Sequence, residues 1–236
     1  MGESRQPLPP ASRQPWLKVC GLRQPQQAAQ VAALGVEAIG VIAVPSSARW
    51  LEPAQRPALW AAVAAANPAA LGVLVVADPS DHELKLLRAD AGHRVVQLHG
   101  GEPPERIRQL RQVLGPSVGL WKALRIRCQA DLEQAEIYGP LVEALLLDAW
   151  VPDQLGGTGH RIPVEWLKGF APPVPWWLAG GINADRVSGS LTALSPGGPN
   201  GLDASSGVER APGDKDLSRV TALVDAVAAF RQDQAT

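Results

Sequence analysis

Two residues of this chain carry the side chains best suited to moving protons in a neutral solution. Cys20 closes the apolar run Trp16–Val19 and is followed at once by Gly21. A free cysteine is commonly a small buried core residue. At the exit of a strand, a thiol whose pKa is lowered serves instead as a nucleophile or base. Asp148 directly follows Ala144-Leu145-Leu146-Leu147. It either caps a turn or stands as a functional carboxylate whose partial desolvation favours the protonated, proton-donating form. Arg49, within Pro45-Ser46-Ser47-Ala48-Arg49-Trp50, either clamps a carboxylate through two hydrogen bonds or is a solvated surface arginine.

Two segments of small residues come late in the chain. Gly180-Gly181 precedes Asn183, a helix-cap residue type, and Ser205-Ser206-Gly207 follows some twenty residues later. Small residues let backbone N–H groups approach an anion, and a helix N-terminus adds partial positive charge, so the pair reads as a phosphate site. The loop Gly156-Gly157-Thr158-Gly159 is either a flexible surface connection or a segment that closes over a ligand. Of the histidines, His99 ends an apolar run, His160 lies in the glycine loop, and His82 and His93 read as surface residues; none reads as a metal ligand. Cys128, between Arg127 and Gln129, reads as structural.

The elements that position these groups follow from the apolar pattern. Short runs at Trp16–Val19, Ala38–Ile42, Leu71–Val76, Arg94–Leu98, Val118–Leu124, Ala144–Leu147, Trp176–Ala179 and Gly201–Ala204 lack clean alternation, as strands buried on both faces do. Helical stretches separate them: Pro25–Leu34, Pro53–Ala66, Ser80–Ala91, Pro103–Leu114, Gln129–Tyr138, Pro163–Phe170, Asn183–Leu194 and Asp216–Arg231. Several open on Pro, Ser, Asn or Asp, as helix N-termini do. Eight strand–helix units in 236 residues match the size of a single α/β (β/α)₈ barrel, typically about 250 residues. The rival, an open doubly wound sheet, calls for a G-x-G-x-x-G after its first strand, where this chain has Cys20-Gly21-Leu22-Arg23. In a barrel, Cys20, Arg49, Asp148, Gly181 and Ser205–Gly207 all fall at the C-terminal ends of strands, the face that carries active sites. Residues 1–15 are expected to form an arm, 16–231 the catalytic barrel and 232–236 a tail.

Composition narrows the function further. Lys and Arg total 22 against 23 Asp and Glu, a net charge of −1, with none of the clustered positive charge that nucleic acid or an anionic membrane attracts. The 8 tryptophans are mostly not interleaved with basic residues and read as packing rather than a base-stacking platform. Two cysteines make no disulfide framework or metal motif. No apolar run reaches membrane-spanning length, and the first residues lack the apolar core of a secretory signal. A cytoplasmic enzyme acting on a small molecule, without nucleic-acid or membrane partners, is expected.

The motifs occur in a specific order: Lys18-Val19-Cys20-Gly21-Leu22, Pro45 to Leu51, Val96-Gln97-Leu98-His99-Gly100, Leu146-Leu147-Asp148 with Gly156-Gly157-Thr158-Gly159, Ala179-Gly180-Gly181-Ile182-Asn183, and Asp203-Ala204-Ser205-Ser206-Gly207-Val208-Glu209. The ordered set resembles the phosphoribosylanthranilate isomerase family of tryptophan biosynthesis over about residues 16 to 231. The resemblance implies a (β/α)₈ barrel, no cofactor, and an Amadori rearrangement of N-(5-phosphoribosyl)anthranilate by a monomer or homodimer. It implies Asp148 as acid, Cys20 as base, Arg49 on the anthranilate carboxylate, Asp203 near the sugar hydroxyls, and Gly181 with Ser205, Ser206 and Gly207 on the phosphate. The chain departs from the family pattern at Ser46, at Val75-Val76-Ala77-Asp78 and at His160, all on the rim or the anthranilate side. Two rival readings are a histidine-pathway isomerase, which uses an aspartate where Cys20 stands, and a catalytically silent barrel, which needs neither Cys20 nor Asp148.

Overall fold

The computed structural model describes residues 15–88, 91–149 and 161–234. Eight parallel strands close on themselves in sequence order: β1 (Trp16–Cys20), β2 (Ala38–Ile42), β3 (Leu71–Val76), β4 (Val95–Leu98), β5 (Gly119–Ile126), β6 (Ala144–Ala149), β7 (Trp176–Ala179) and β8 (Gly201–Ala204). The expected (β/α)₈ barrel is therefore the fold. The expected 1–15 arm, Gly156–Gly159, His160 and the last two residues of the expected tail lie outside the described residues, except Pro15.

Helices α1 (Pro25–Ala33), α2 (Arg56–Ala66), α3 (Pro104–Leu114), α4 (Gln134–Tyr138), α5 (Val164–Leu167), α6 (Ala184–Ala193) and α7 (Leu217–Asp233) wrap the outside. The expected helix at Ser80–Ala91 is instead a 3₁₀ segment, Asp81–Leu87. Ser80 and Glu83 cap each other reciprocally there, and Leu87 is its only buried residue. With so narrow an apolar stripe, packing gives an α-helix little advantage over the tighter coil. His93, expected on the surface, is buried beneath this segment with Nε2 2.9 Å from the Leu87 carbonyl. A hairpin that the sequence reading did not contain, β9 (Glu209–Ala211) and β10 (Asp214–Lys215), follows β8.

The strand residues divide by parity between two cores. Leu17, Val19, Ile39, Val41, Leu74, Val76, Val96, Leu98, Leu145 and Leu147 pack outward against the helices. Ala38, Val73, Val95, Trp121, Ala123, Ala144, Leu146, Trp177 and Ala179 fill the barrel. Both parities are apolar, which is why the strands show no alternation in sequence. Trp121 and Trp177 stack in a tilted pair with centroids 4.7 Å apart. They reach that position because β8 contributes no side chain opposite them: a Cβ on Gly201 would stand 2.2 Å from the Trp177 ring.

Packing of this kind does not yield easily. Gly201→Ala is expected to destabilise the barrel by about 1–3 kcal/mol, read as a lower urea midpoint at an unchanged slope, whereas Gly189→Ala, within α6 and with open space around its Cβ position, should show no such loss.

Candidate active site

β1 places Lys18 and Cys20 on the inner face of the barrel, two residues apart. Lys18 is fully buried. Its Nζ donates to Asp203 Oδ2 on β8 and to Gln97 Oε1 on β4, both at 2.9 Å. The β1–β8 register pairs Lys18 with Asp203 directly. Burial alone would lower the Lys18 pKa, but the Asp203 carboxylate and the Cys20 thiol beside it raise it above the ordinary value. An ammonium ion is therefore fixed inside the barrel.

Cys20 sits one layer above, 5% exposed. Its environment works against the thiolate form. Burial pushes the thiol pKa up, Lys18 and Lys215 pull it down and Asp203 opposes them; the net shift is upward. The resting thiol is protonated. Asp148 comes from the inner face near the end of β6, three strands away around the ring and also 5% exposed. His99, just past β4, approaches it with Nε2 3.4 Å from Asp148 Oδ2.

Arg49 reaches the mouth from the loop after β2. Trp50 bridges back to Ile42 at the end of β2, and the Ser47 Oγ accepts from the Arg49 N–H at 3.2 Å. Its guanidinium is held by Glu209 at the start of β9: Nε donates to both carboxylate oxygens at 3.0 and 3.1 Å, and Nη2 donates to Oε2 at 2.7 Å. The buried Lys215 Nζ donates to the same carboxylate at 2.6 Å and the Gly213 N–H at 3.0 Å. Burial by itself would raise the Glu209 pKa; the hydrogen bonds from Arg49, Lys215 and Gly213 and the Lys215 charge outweigh it and hold the carboxyl below its ordinary value. Gln27 of α1 bonds both ways with the Lys215 backbone and fixes the hairpin.

Seven of the eight residues expected at the site, Cys20, Arg49, Asp148, Gly181, Asp203, Ser205 and Ser206, line one cavity at the C-terminal mouth, with about 630 Å³ of space including the part open to solvent. The eighth, Gly207, packs behind it: a Cβ there would stand 2.1 Å from the Ile182 carbonyl, so the loops after β7 and β8 touch. Asn183 opens α6 with extended backbone but makes no side-chain cap hydrogen bond, contrary to the expected cap. Ile42, Val44 and Val75 give the β2–β3 side of the cavity an apolar wall. Cys128 is exposed, outside the cavity, at the start of a 3₁₀ turn. Sequence reasoning assigned no role to Lys18, Gln97, His99, Glu209 or Lys215. Lys18 and Gln97 are polar residues inside apolar strands, an available signal; His99 and Glu209 stand inside the quoted motifs but outside those strands, and Lys215 is in neither.

The closed barrel and this mouth place the chain among the (β/α)₈-barrel isomerases. Residues 17–226 match the family model described as N-(5'phosphoribosyl)anthranilate (PRA) isomerase. The chain is 48% identical over 209 residues to the N-(5'-phosphoribosyl)anthranilate isomerase of Trichormus variabilis, covering 89% of this chain and 96% of that one. It is 47% identical over 210 residues to the enzyme of the same name from Nostoc punctiforme, with the same coverage. The crystal structure of phosphoribosyl anthranilate isomerase from Thermus thermophilus superposes with a TM-score of 0.76 at 33% identity, covering 92% of this chain and all of that one. This chain belongs to the N-(5'-phosphoribosyl)anthranilate isomerase family.

Two measurements test the electrostatics. In a Cys128→Ser background, the thiolate absorbance lost on Cys20→Ser should be absent at neutral pH and develop only above pH 9.0, the ordinary thiol value; a thiolate at pH 7 would refute the upward shift. Because the Glu209 carboxyl titrates below its ordinary value, its stabilisation is full above pH 4.5 and is lost as pH falls through the folded-state value. Glu209→Gln should therefore cost about 3 kcal/mol near neutrality in urea unfolding, a deficit that shrinks as pH falls below 4.5.

Proposed function

We propose that this chain rearranges N-(5-phosphoribosyl)anthranilate to 1-(2-carboxyphenylamino)-1-deoxyribulose 5-phosphate, a step of tryptophan biosynthesis. The observation that carries the reading is the meeting of Cys20 and Asp148 in one cavity with Arg49 at one side and the β7–β8 loops at another. The phosphate is received by the segment around Gly180-Gly181 and by Ser205, Ser206 and Gly207, near the N-terminus of α6. The anthranilate carboxylate goes to Arg49, which Glu209 has already oriented, and its ring lies against Ile42, Val44 and Val75. Asp203, anchored by Lys18, faces the sugar hydroxyls.

The chemistry then needs one acid and one base. Asp148 gives its proton to the ring oxygen, the C1–O bond breaks, and the anthranilate nitrogen becomes a protonated Schiff base to C1. Its positive charge makes the C2 proton acidic and also favours the thiolate of Cys20, which burial otherwise disfavours. The Cys20 thiol gives up its own proton to solvent, its thiolate takes the C2 proton and so returns to the thiol, and Asp148 recovers a proton from solvent. The enolamine gains a proton at C1 as its 2-hydroxyl loses one, leaving the ketone with no net gain or loss of atoms.

The test is turnover of phosphoribosylanthranilate formed in situ from anthranilate and phosphoribosyl pyrophosphate, followed as loss of anthranilate-type fluorescence. Saturable decay is expected. With folded protein, no decay above the spontaneous rate would transfer the reading to the histidine-pathway substrate or to a silent barrel. Asp148→Asn should lower kcat by about 10²-fold or more while phosphate-dependent binding persists. Cys20→Ser should likewise lose most of kcat, because an alcohol is a far poorer base than a thiol; a near wild-type kcat in either variant removes that residue from the mechanism.

A further inference from the structure

A line of side chains crosses the barrel interior beneath the mouth, from Lys18 to Gln97 to His99 to Asp148. Lys18 Nζ donates to Gln97 Oε1 at 2.9 Å. The other end of the same amide, Nε2, lies 3.0 Å from His99 Nδ1. His99 Nε2 then stands 3.4 Å from Asp148 Oδ2 and has no hydrogen-bond partner among the described residues. Gln97 is 1% exposed, so water does not replace either of its contacts.

Donor and acceptor identities along this line follow from one fixed point. An ammonium ion only donates, so the Gln97 oxygen must face Lys18 and the amide cannot be flipped. The Gln97 nitrogen must then face His99, and an amide nitrogen only donates, so Nδ1 of His99 must accept. The imidazole proton consequently resides on Nε2, pointing toward Asp148. A proton on Nδ1 would bring two donors face to face in a buried place. Among the described residues, the charged or titratable groups in contact with this line include Lys18 and Cys20 on β1, Asp203 on β8 and Asp148 on β6, with Lys122 of β5 turned away to Gly100 and Glu102.

We infer that Gln97 is a positioning residue for the acid: it locks His99 in the Nε2–H form, so that the ring cannot take the Asp148 proton and can donate to the carboxylate left when that proton has gone to substrate. In the opposite tautomer the Nε2 lone pair would face Asp148 and compete with the sugar oxygen for its proton. The locked tautomer removes this competitor and supplies a hydrogen bond that strengthens once the carboxyl has become a carboxylate, the kind that raises kcat rather than affinity. The inference rests on Asp148 being the acid.

The direct test is ¹⁵N spectroscopy of the His99 ring, assigned by the signals lost in His99→Asn. The unliganded wild-type protein at neutral pH should show a protonated Nε2 and a bare Nδ1; an Nδ1–H or an imidazolium would overturn the inference without any variant. Gln97→Glu keeps the shape and the contact with Lys18 but presents His99 with an acceptor, so the proton should move to Nδ1. In that variant kcat should fall about tenfold or more with KM changed less than about threefold. Inversion of the tautomer with kcat unchanged would sink the inference while leaving Asp148 as acid. Full activity in Asp148→Asn would instead remove the acid assignment on which it rests, whatever the His99 tautomer.

Discussion

An ammonium ion inside a closed barrel is costly to bury, since it leaves water for a medium that solvates it poorly, and it persists only where its donors are matched. Lys18 meets that condition with Asp203 and Gln97, each at 2.9 Å. The consequences spread outward from that point. Asp203 is held with one oxygen on Lys18; its other, Oδ1, is buried without a hydrogen-bond partner among the described residues. Gln97 has its amide orientation decided. The thiol of Cys20 sits above a positive charge that partly offsets the effect of burial.

That polar layer is supported from below by apolar packing. The Trp121–Trp177 pair and the alanines and valines around it fill the barrel beneath the mouth. The gap they fill exists because Gly201 leaves it. Since interiors are packed close to crystal density, a displaced tryptophan would be felt by the strands that carry Lys18, Asp203 and Gln97. Stability and site geometry therefore share the same side chains here.

The rim is organised by a second ionic group, Arg49–Glu209–Lys215. It ties the loop after β2 to the hairpin after β8, and through Gln27 to α1. Glu209 takes one edge of the Arg49 fork, which fixes the guanidinium against the mouth while occupying part of its donor set. The arginine is thus a pre-oriented group rather than a solvated side chain, and the entropy of immobilising it is met in folding rather than on binding.

Apolar runs punctuated by Pro, Ser, Asn and Gly were enough to expose eight strands, the long helices and the ends of the strands where Cys20 and Asp148 stand, because local periodicity and turn chemistry are written in neighbouring residues. Seven of the expected site residues meet in one cavity for the same reason: a parallel barrel brings all strand C-termini to one face. What the linear chain could not display is partnership. Lys18 is 79 residues from Gln97 and 185 from Asp203, and Arg49 is 160 from Glu209, so their charges and donors acquire meaning only when the strands close. The protonation of Cys20 followed the same rule: its position was legible, but the direction of its pKa shift depended on how completely the closed barrel excluded water and on which charges surround the thiol.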